Sequence, residues 1–166
     1  MSAAATRAGS SAGHPAGPER RPGRAAPPAT DDGRRLAVAV YGDRSTTRDK
    51  VRRAVGRRPA ADLPLVEISE FATLPALLRA VDSRRFDVLV LDGEAAPAGG
   101  LGVCRQLHDE IYDCPPVLVL TGRPQDAWLA AWSRAEAAVP HPLDPRAVAD
   151  AVASLARLRA ATPPPA

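Results

Sequence analysis

The sequence predicts an α/β fold, a doubly wound five-stranded parallel sheet with helices on both faces. Short apolar runs rich in Val and Leu recur along the chain, LAVAVY from Leu36, VLVL from Val88 and VLVL from Val117, bounded by polar residues as strands buried on both faces are. Between them lie stretches whose apolar residues repeat every three or four positions, the pattern of helices with one buried face. Strand and helix alternate five times, and such alternation gives parallel strands joined by right-handed crossovers.

The chain has 166 residues, which suits one domain with additional sequence. Residues 1–34, rich in Ala, Gly, Pro, Ser and Arg without periodicity, read as a disordered tail, since they carry too little apolar surface to offset the entropy of ordering. An over-extended start site gives the same pattern, and an organelle transit peptide is a minor alternative opposed by the Pro and Gly density. Residues 35–160 form the predicted domain, and 161–166 a second short tail. Five arginines of the first tail (Arg7, Arg20, Arg21, Arg24, Arg34) face Glu19, Asp31 and Asp32, so this tail carries +2 of the total +3. The domain is therefore nearly neutral, and direct DNA binding by it is not expected.

Cys104 and Cys114 lack zinc-ligand spacing and read as reduced thiols of a cytoplasmic protein. No apolar segment is long enough for membrane insertion, and no secretory signal opens the chain.

Taken in order, LAVAVY forms the first strand and runs into Gly42 and Asp43, after which Ser45, Thr46 and Thr47 offer capping hydroxyls for a helix to Val55, stopped by Gly56. Leu65 to Ser69 is a plausible second strand. Thr73 and Pro75 then open a helix that buries Leu74, Leu77, Leu78 and Val81. The third strand, in FDVLVLD, ends at Asp92; a helix follows from about Gly100 to Ile111 with Leu101, Cys104 and Leu107 or His108 inward. The fourth strand ends at Thr121. Pro124 opens a helix that places Trp128 and Trp132 on one face. Ala137 to Val139 is a brief fifth strand, followed by PHPLDP, in which Asp144 and Pro145 cap a last helix with a stripe of Val148, Val152, Leu155 and Leu158.

Open α/β sheets place their ligand sites at the carboxyl ends of their strands. Four such ends here present Asp43, Asp92, Thr121 and His141. Taken singly, Asp92 reads either as chemistry or as a cap on its loop, Thr121 as a loop-satisfying hydroxyl, and His141 as packing before a Pro142 that is a candidate for a cis bond. Together they make a constellation.

The LD of FDVLVLD, the Gly100-Leu101 step, PPVLVLTG and the Pro142 to LDP stretch resemble the receiver domain of bacterial two-component response regulators, over about Arg35 to Arg159. The resemblance implies a receiver or flavodoxin-like fold and an aspartyl phosphoacceptor served by a histidine kinase or a small phosphodonor. By position, Asp92 matches the phosphoacceptor, Thr121 and Gly122 the hydroxyl and the small residue around the phosphoryl group, and His141 the phosphate-binding lysine. Asp43, Asp92 and the backbone carbonyl of Glu94 match the ligands of an Mg²⁺ ion, a hard cation that neutralises phosphoryl oxygens.

Three positions depart from the pattern. Gly42 replaces an acid, which implies weak or absent Mg²⁺ binding; His141 replaces the lysine; and Ala138 stands where the switch aromatic is usual. The expected function is a stand-alone receiver in a phosphorelay, working through a downstream protein partner, with Trp128 and Trp132 as the partner-binding candidates. Its alternative is a phosphorylation-independent pseudo-receiver acting as an adaptor or scaffold. An enzyme using Asp43, Asp92 and His141 is not expected, because the chain has no Gly-rich phosphate loop and no nucleophile elbow.

Overall fold

Because successive strand residues point to opposite faces, an uninterrupted run such as VLVL can be buried only if both faces of the sheet are covered. The computed structural model, which describes residues 33–162, shows this arrangement. Its elements are β1 (Leu36–Tyr41), α1 (Ser45–Val55), β2 (Val66–Phe71), α2 (Leu74–Ser83), β3 (Val88–Asp92), α3 (Gly100–Glu110), β4 (Val117–Thr121), a 3₁₀ turn (Pro124–Asp126), α4 (Ala127–Ser133), β5 (Ala137–Pro140) and α5 (Pro145–Ala161). The five strands are parallel in the order β2-β1-β3-β4-β5. Most of residues 1–34 and 161–166, read above as tails, lie outside the described residues.

Alternation along the strands builds two cores. Val38, Val40, Val88, Val90, Leu118 and Leu120 meet Val51 and Val55 of α1 and Val148, Val152 and Leu155 of α5. Ala39, Tyr41, Leu89, Leu91, Val117 and Val119 meet Leu77 of α2 and Val103, Cys104 and Leu107 of α3. With few aromatic side chains, the interior is filled by Val and Leu, and β3 and β4 are buried along their whole length.

Several local expectations are corrected. The N-cap of α1 is Arg44, extended and without a side-chain capping bond, so Ser45 is already helical; Thr73 likewise caps α2 without using its hydroxyl. Asp144 does cap α5, its Oδ1 accepting from the Arg146 N–H at 2.9 Å. Pro124 opens the 3₁₀ turn, and α4 begins only at Ala127. Leu158 is exposed. At 3.6 residues per turn the stripe through Val148, Val152 and Leu155 reaches residue 159 next, and the partly buried Arg159 binds Asp113 there through two bonds of 2.6 and 2.7 Å.

Candidate functional site

The chain leaves β1 for the edge strand β2 and returns to pair β3 with β1. That reversal splays the connections after β1 and β3 to opposite faces and opens a crevice at their carboxyl ends. Asp92, the last residue of β3, stands in it with 0% exposure. Parallel register brings the neighbouring strand ends alongside: Asp92 pairs with Leu120, Thr121 follows Leu120 and pairs with Pro140, and His141 follows Pro140. The His141 N–H donates to the Thr121 carbonyl at 2.8 Å, which fixes the end of β5 against that of β4.

A buried carboxylate is costly without partners. Asp92 Oδ1 accepts from the Glu94 N–H at 3.0 Å, and His141 Nε2 stands 3.6 Å from the same oxygen. Oδ2 faces Arg44, whose Nη2 is 3.7 Å away, and has no hydrogen-bond partner. His141 Nε2 is also buried without one. The carboxylate is thus flanked on both sides by nitrogen groups standing just beyond hydrogen-bonding distance. Gly42 lies against its third side: a Cβ there would come 3.1 Å from the Asp92 Cβ and 3.4 Å from Oδ2, so Asp92 occupies the space a side chain at 42 would need.

Thr121 is buried at the end of β4. A Cβ on Gly122 would stand 2.6 Å from Glu94 Oε1, so the Glu94 carboxylate lies in the open space above Gly122. Arg44, Thr46, Thr47, Lys50, Glu94, Gly122, His141 and Pro142 line a cavity of about 450 Å³ over the strand ends. Asp43 is exposed, and its recorded contact is through the backbone: Arg48 Nη1 donates to the carbonyls of Gly42 and Asp43 at 2.6 and 3.2 Å.

Arg44, Arg48 and Tyr41 are site residues that sequence reasoning missed. The Tyr41 hydroxyl donates to the Ala98 carbonyl at 2.7 Å and so tethers the loop after Asp92. Burial first, and then the charges of Asp43 and Asp92, raise its pKa above the ordinary phenol value, which keeps it a donor. An arginine three residues beyond a strand is a weak signal for Arg44; for Tyr41 there was none.

Away from the crevice, Trp128 and Trp132 are 67% and 54% exposed. The inward side of α4 is made by the small residues Ala130 and Ser133. Both rings consequently face away from the sheet. Arg105 of α3 lies over the Trp132 ring at 5.8 Å and donates to the Trp132 carbonyl at 3.1 Å. Ala138, on β5 beside Val119, is exposed.

No family model matches the chain. An uncharacterized response regulatory protein of Mycobacterium tuberculosis, found in two strains, is 52% identical over 127 residues, covering 76% of this chain and 96% of the relative. The chain belongs to the response regulator family.

Solved receiver structures share its fold at low identity. A CheY-like receiver domain protein of Methanospirillum hungatei aligns with a TM-score of 0.62 at 14% identity, over 76% of this chain and 98% of that one. The BeF3-activated DrrB receiver domain gives 0.61 at 21%, over 75% and 99%. Chemotaxis response regulator CheY4 of Vibrio cholerae gives 0.61 at 18%, over 74% and 99%. Among the described residues no helix is long and apolar enough to cross a membrane.

Receiver domains generally bind Mg²⁺ for phosphorylation, and the donor set that the response regulator described here offers the ion is one acid short at Gly42. Mg²⁺ needs oxygen ligands at about 2.0–2.1 Å in near-octahedral array. Gly42 supplies no carboxylate, Asp43 is exposed, and Glu94 turns its N–H toward Asp92. Among the described residues no three His, Cys, Asp or Glu side chains gather as a metal-holding group, so any ion here would rest on Asp43, Asp92 and the backbone carbonyl of Glu94. The Arg44 guanidinium sits instead beside the oxygen left free.

Proposed function

We propose that this response regulator is a receiver acting on its own in a bacterial two-component phosphorelay, with Asp92 accepting a phosphoryl group from a histidine kinase or a small phosphodonor. The observation that carries this reading is the Asp92 carboxylate itself. It is fully buried at the switch point of the sheet, with one oxygen bonded to a backbone N–H and the other free, between a guanidinium and an imidazole at 3.7 and 3.6 Å. In the transfer, the free oxygen bonds to phosphorus while the P–N bond of a phosphohistidine, or the P–O bond of an acyl phosphate, breaks and its electron pair leaves with the donor. In this reading Thr121 and His141 hold the new phosphoryl oxygens, and the Glu94 carboxylate moves from the space over Gly122 to admit them.

The reading extends to the cytoplasm, to a downstream protein partner and to a chain with no turnover of its own. The 127-residue match takes up 96% of the relative, so that relative is itself of receiver size, which favours action through contact. The partner surface in this reading is the exposed face of α4 with Trp128 and Trp132, large rings of the kind that dominate interfaces. Incubation with acetyl phosphate and Mg²⁺ followed by intact-mass measurement tests the acceptor. One phosphate is expected on the wild type and none on Asp92→Asn; an unmodified wild type, or equal modification of both, overturns the assignment.

One observation favours a second reading, a pseudo-receiver adaptor that works without phosphorylation. The Glu94 carboxylate already lies over Gly122, where an incoming phosphoryl group needs space. In that case the same experiment leaves the wild type unmodified, and Glu94→Ala, which clears the space over Gly122, gains the adduct.

A further inference from the structure

The Asp92 oxygen without a hydrogen-bond partner is buried, and the group facing it is a side chain of the same protein. The Arg44 side chain makes no hydrogen bond among the described residues and is about half exposed at the rim of the cavity. A long cationic side chain held only by its attraction to Asp92 can close on the carboxylate or swing to admit another anion. The same place is unfavourable to a dication: the guanidinium charge repels it, and Gly42 offers no ligand.

We propose that Arg44, across the carboxylate from the His141 imidazole, supplies the positive charge that a divalent ion supplies in other receivers. On this proposal the pocket takes an acyl phosphate donor without metal. The proposal rests on the reading of Asp92 as phosphoacceptor and adds to it a positioning residue and a cation requirement. In the step, Asp92 Oδ2 forms the O–P bond, the P–O bond to the acyl oxygen breaks, and the acyl group leaves as a carboxylate with the electron pair; no proton moves. Arg44 swings from Oδ2 to the oxygens of the incoming phosphoryl group, and Lys50 and the hydroxyls of Thr46 and Thr47 line the same cavity.

The test uses the full chain, acetyl phosphate, and either EDTA or millimolar Mg²⁺, with the phosphate adduct followed in time by intact mass. Wild type is expected to be modified at rates within about twofold under the two conditions, and Arg44→Ala to be slower by about 100-fold, the lower end of what loss of one charge-stabilising donor costs. Arg44→Lys, which keeps the charge, is expected to retain more of the rate than Arg44→Ala. Arg44 is exposed, and circular dichroism checks that the variants stay folded. An adduct that forms only with Mg²⁺, or an Arg44→Ala rate equal to wild type, overturns this proposal and leaves Asp92 as acceptor. No adduct under either condition overturns the acceptor reading and the proposal together. Calorimetric titration with Mg²⁺ gives an independent readout: saturable binding to wild type overturns the proposal, and heats of dilution alone support it.

Discussion

Gly100 shows how closely the backbone around Asp92 is fitted. A Cβ at this first residue of α3 would stand 2.7 Å from the Asp92 carbonyl oxygen and 2.9 Å from the Leu91 carbonyl carbon. These contacts are with backbone, so no side chain can move aside. Gly100→Ala is expected to destabilise the protein by about 1–3 kcal/mol, the usual cost of overpacking, and thermal unfolding should show a transition several degrees lower; an unchanged transition would count against the close approach. At the same scale, Asp92, Thr121 and His141 were legible because a residue ending a buried strand has its place fixed by the strand. Arg44 was not, since its meaning depends on β1 lying beside β3, with the carboxylate 48 positions away in sequence. Gly42 was read as a missing acid, whereas the packing shows Asp92 filling that space.

The helices teach a different lesson. The strands were placed from apolar runs and the helices from apolar stripes together with cap and stop residues, because a doubly covered sheet imposes continuous runs on strands and stripes on helices. Boundaries fared worse where short-range chemistry competed with the pattern. Pro124 fits a 3₁₀ turn as well as a helix N-terminus, and the run Ser45-Thr46-Thr47 offered three capping hydroxyls of which none is used. For α4 the periodicity correctly put the two tryptophans together but could not say which way they faced; the small residues Ala130 and Ser133 decide that by allowing the helix to lie close to its neighbours. Exposed rings contribute little to folding. Trp128→Ala is accordingly expected to change stability by no more than about 0.5 kcal/mol. Trp132→Ala, which also loses the Arg105 contact, should cost about 0.5–1 kcal/mol more. Urea unfolding followed by circular dichroism measures both, and a large loss for Trp128→Ala would mean that its ring is packed.

For the molecule as a whole, the edge of the sheet opposite the acid pocket carries its own clasp. Arg159, near the end of α5, holds Asp113 in the connection before β4, and Arg85 stands 3.5 Å from the same carboxylate. The Arg159 hydrogen bond is the main cause that keeps Asp113 below the ordinary carboxylate range, and Arg157 and Arg134 do the same for Asp62 and Asp109. A carboxylate with a depressed folded-state value contributes stability above its unfolded value, near 3.9, and loses it as the pH falls through the folded one. Arg159→Gln should therefore be less stable than wild type at neutral pH, with the gap narrowing below about pH 4; a gap that stays constant down to pH 2 would show that Asp113 ionisation contributes nothing. The sequence made the parallel sheet visible but not this pairing, since 46 residues separate the partners and no local pattern joins them. The two cysteines lie close to these same supports. Cys104 is held against the Ser133 carbonyl, and burial pushes its thiol up to about 11 and that of Cys114 up to about 12. At neutral pH well under about one molecule in a thousand presents a thiolate at either position. The native protein thus comes with its own chemical silence: a single cysteine engineered onto the outer face of α4 could carry a fluorophore or spin label without replacing either natural one.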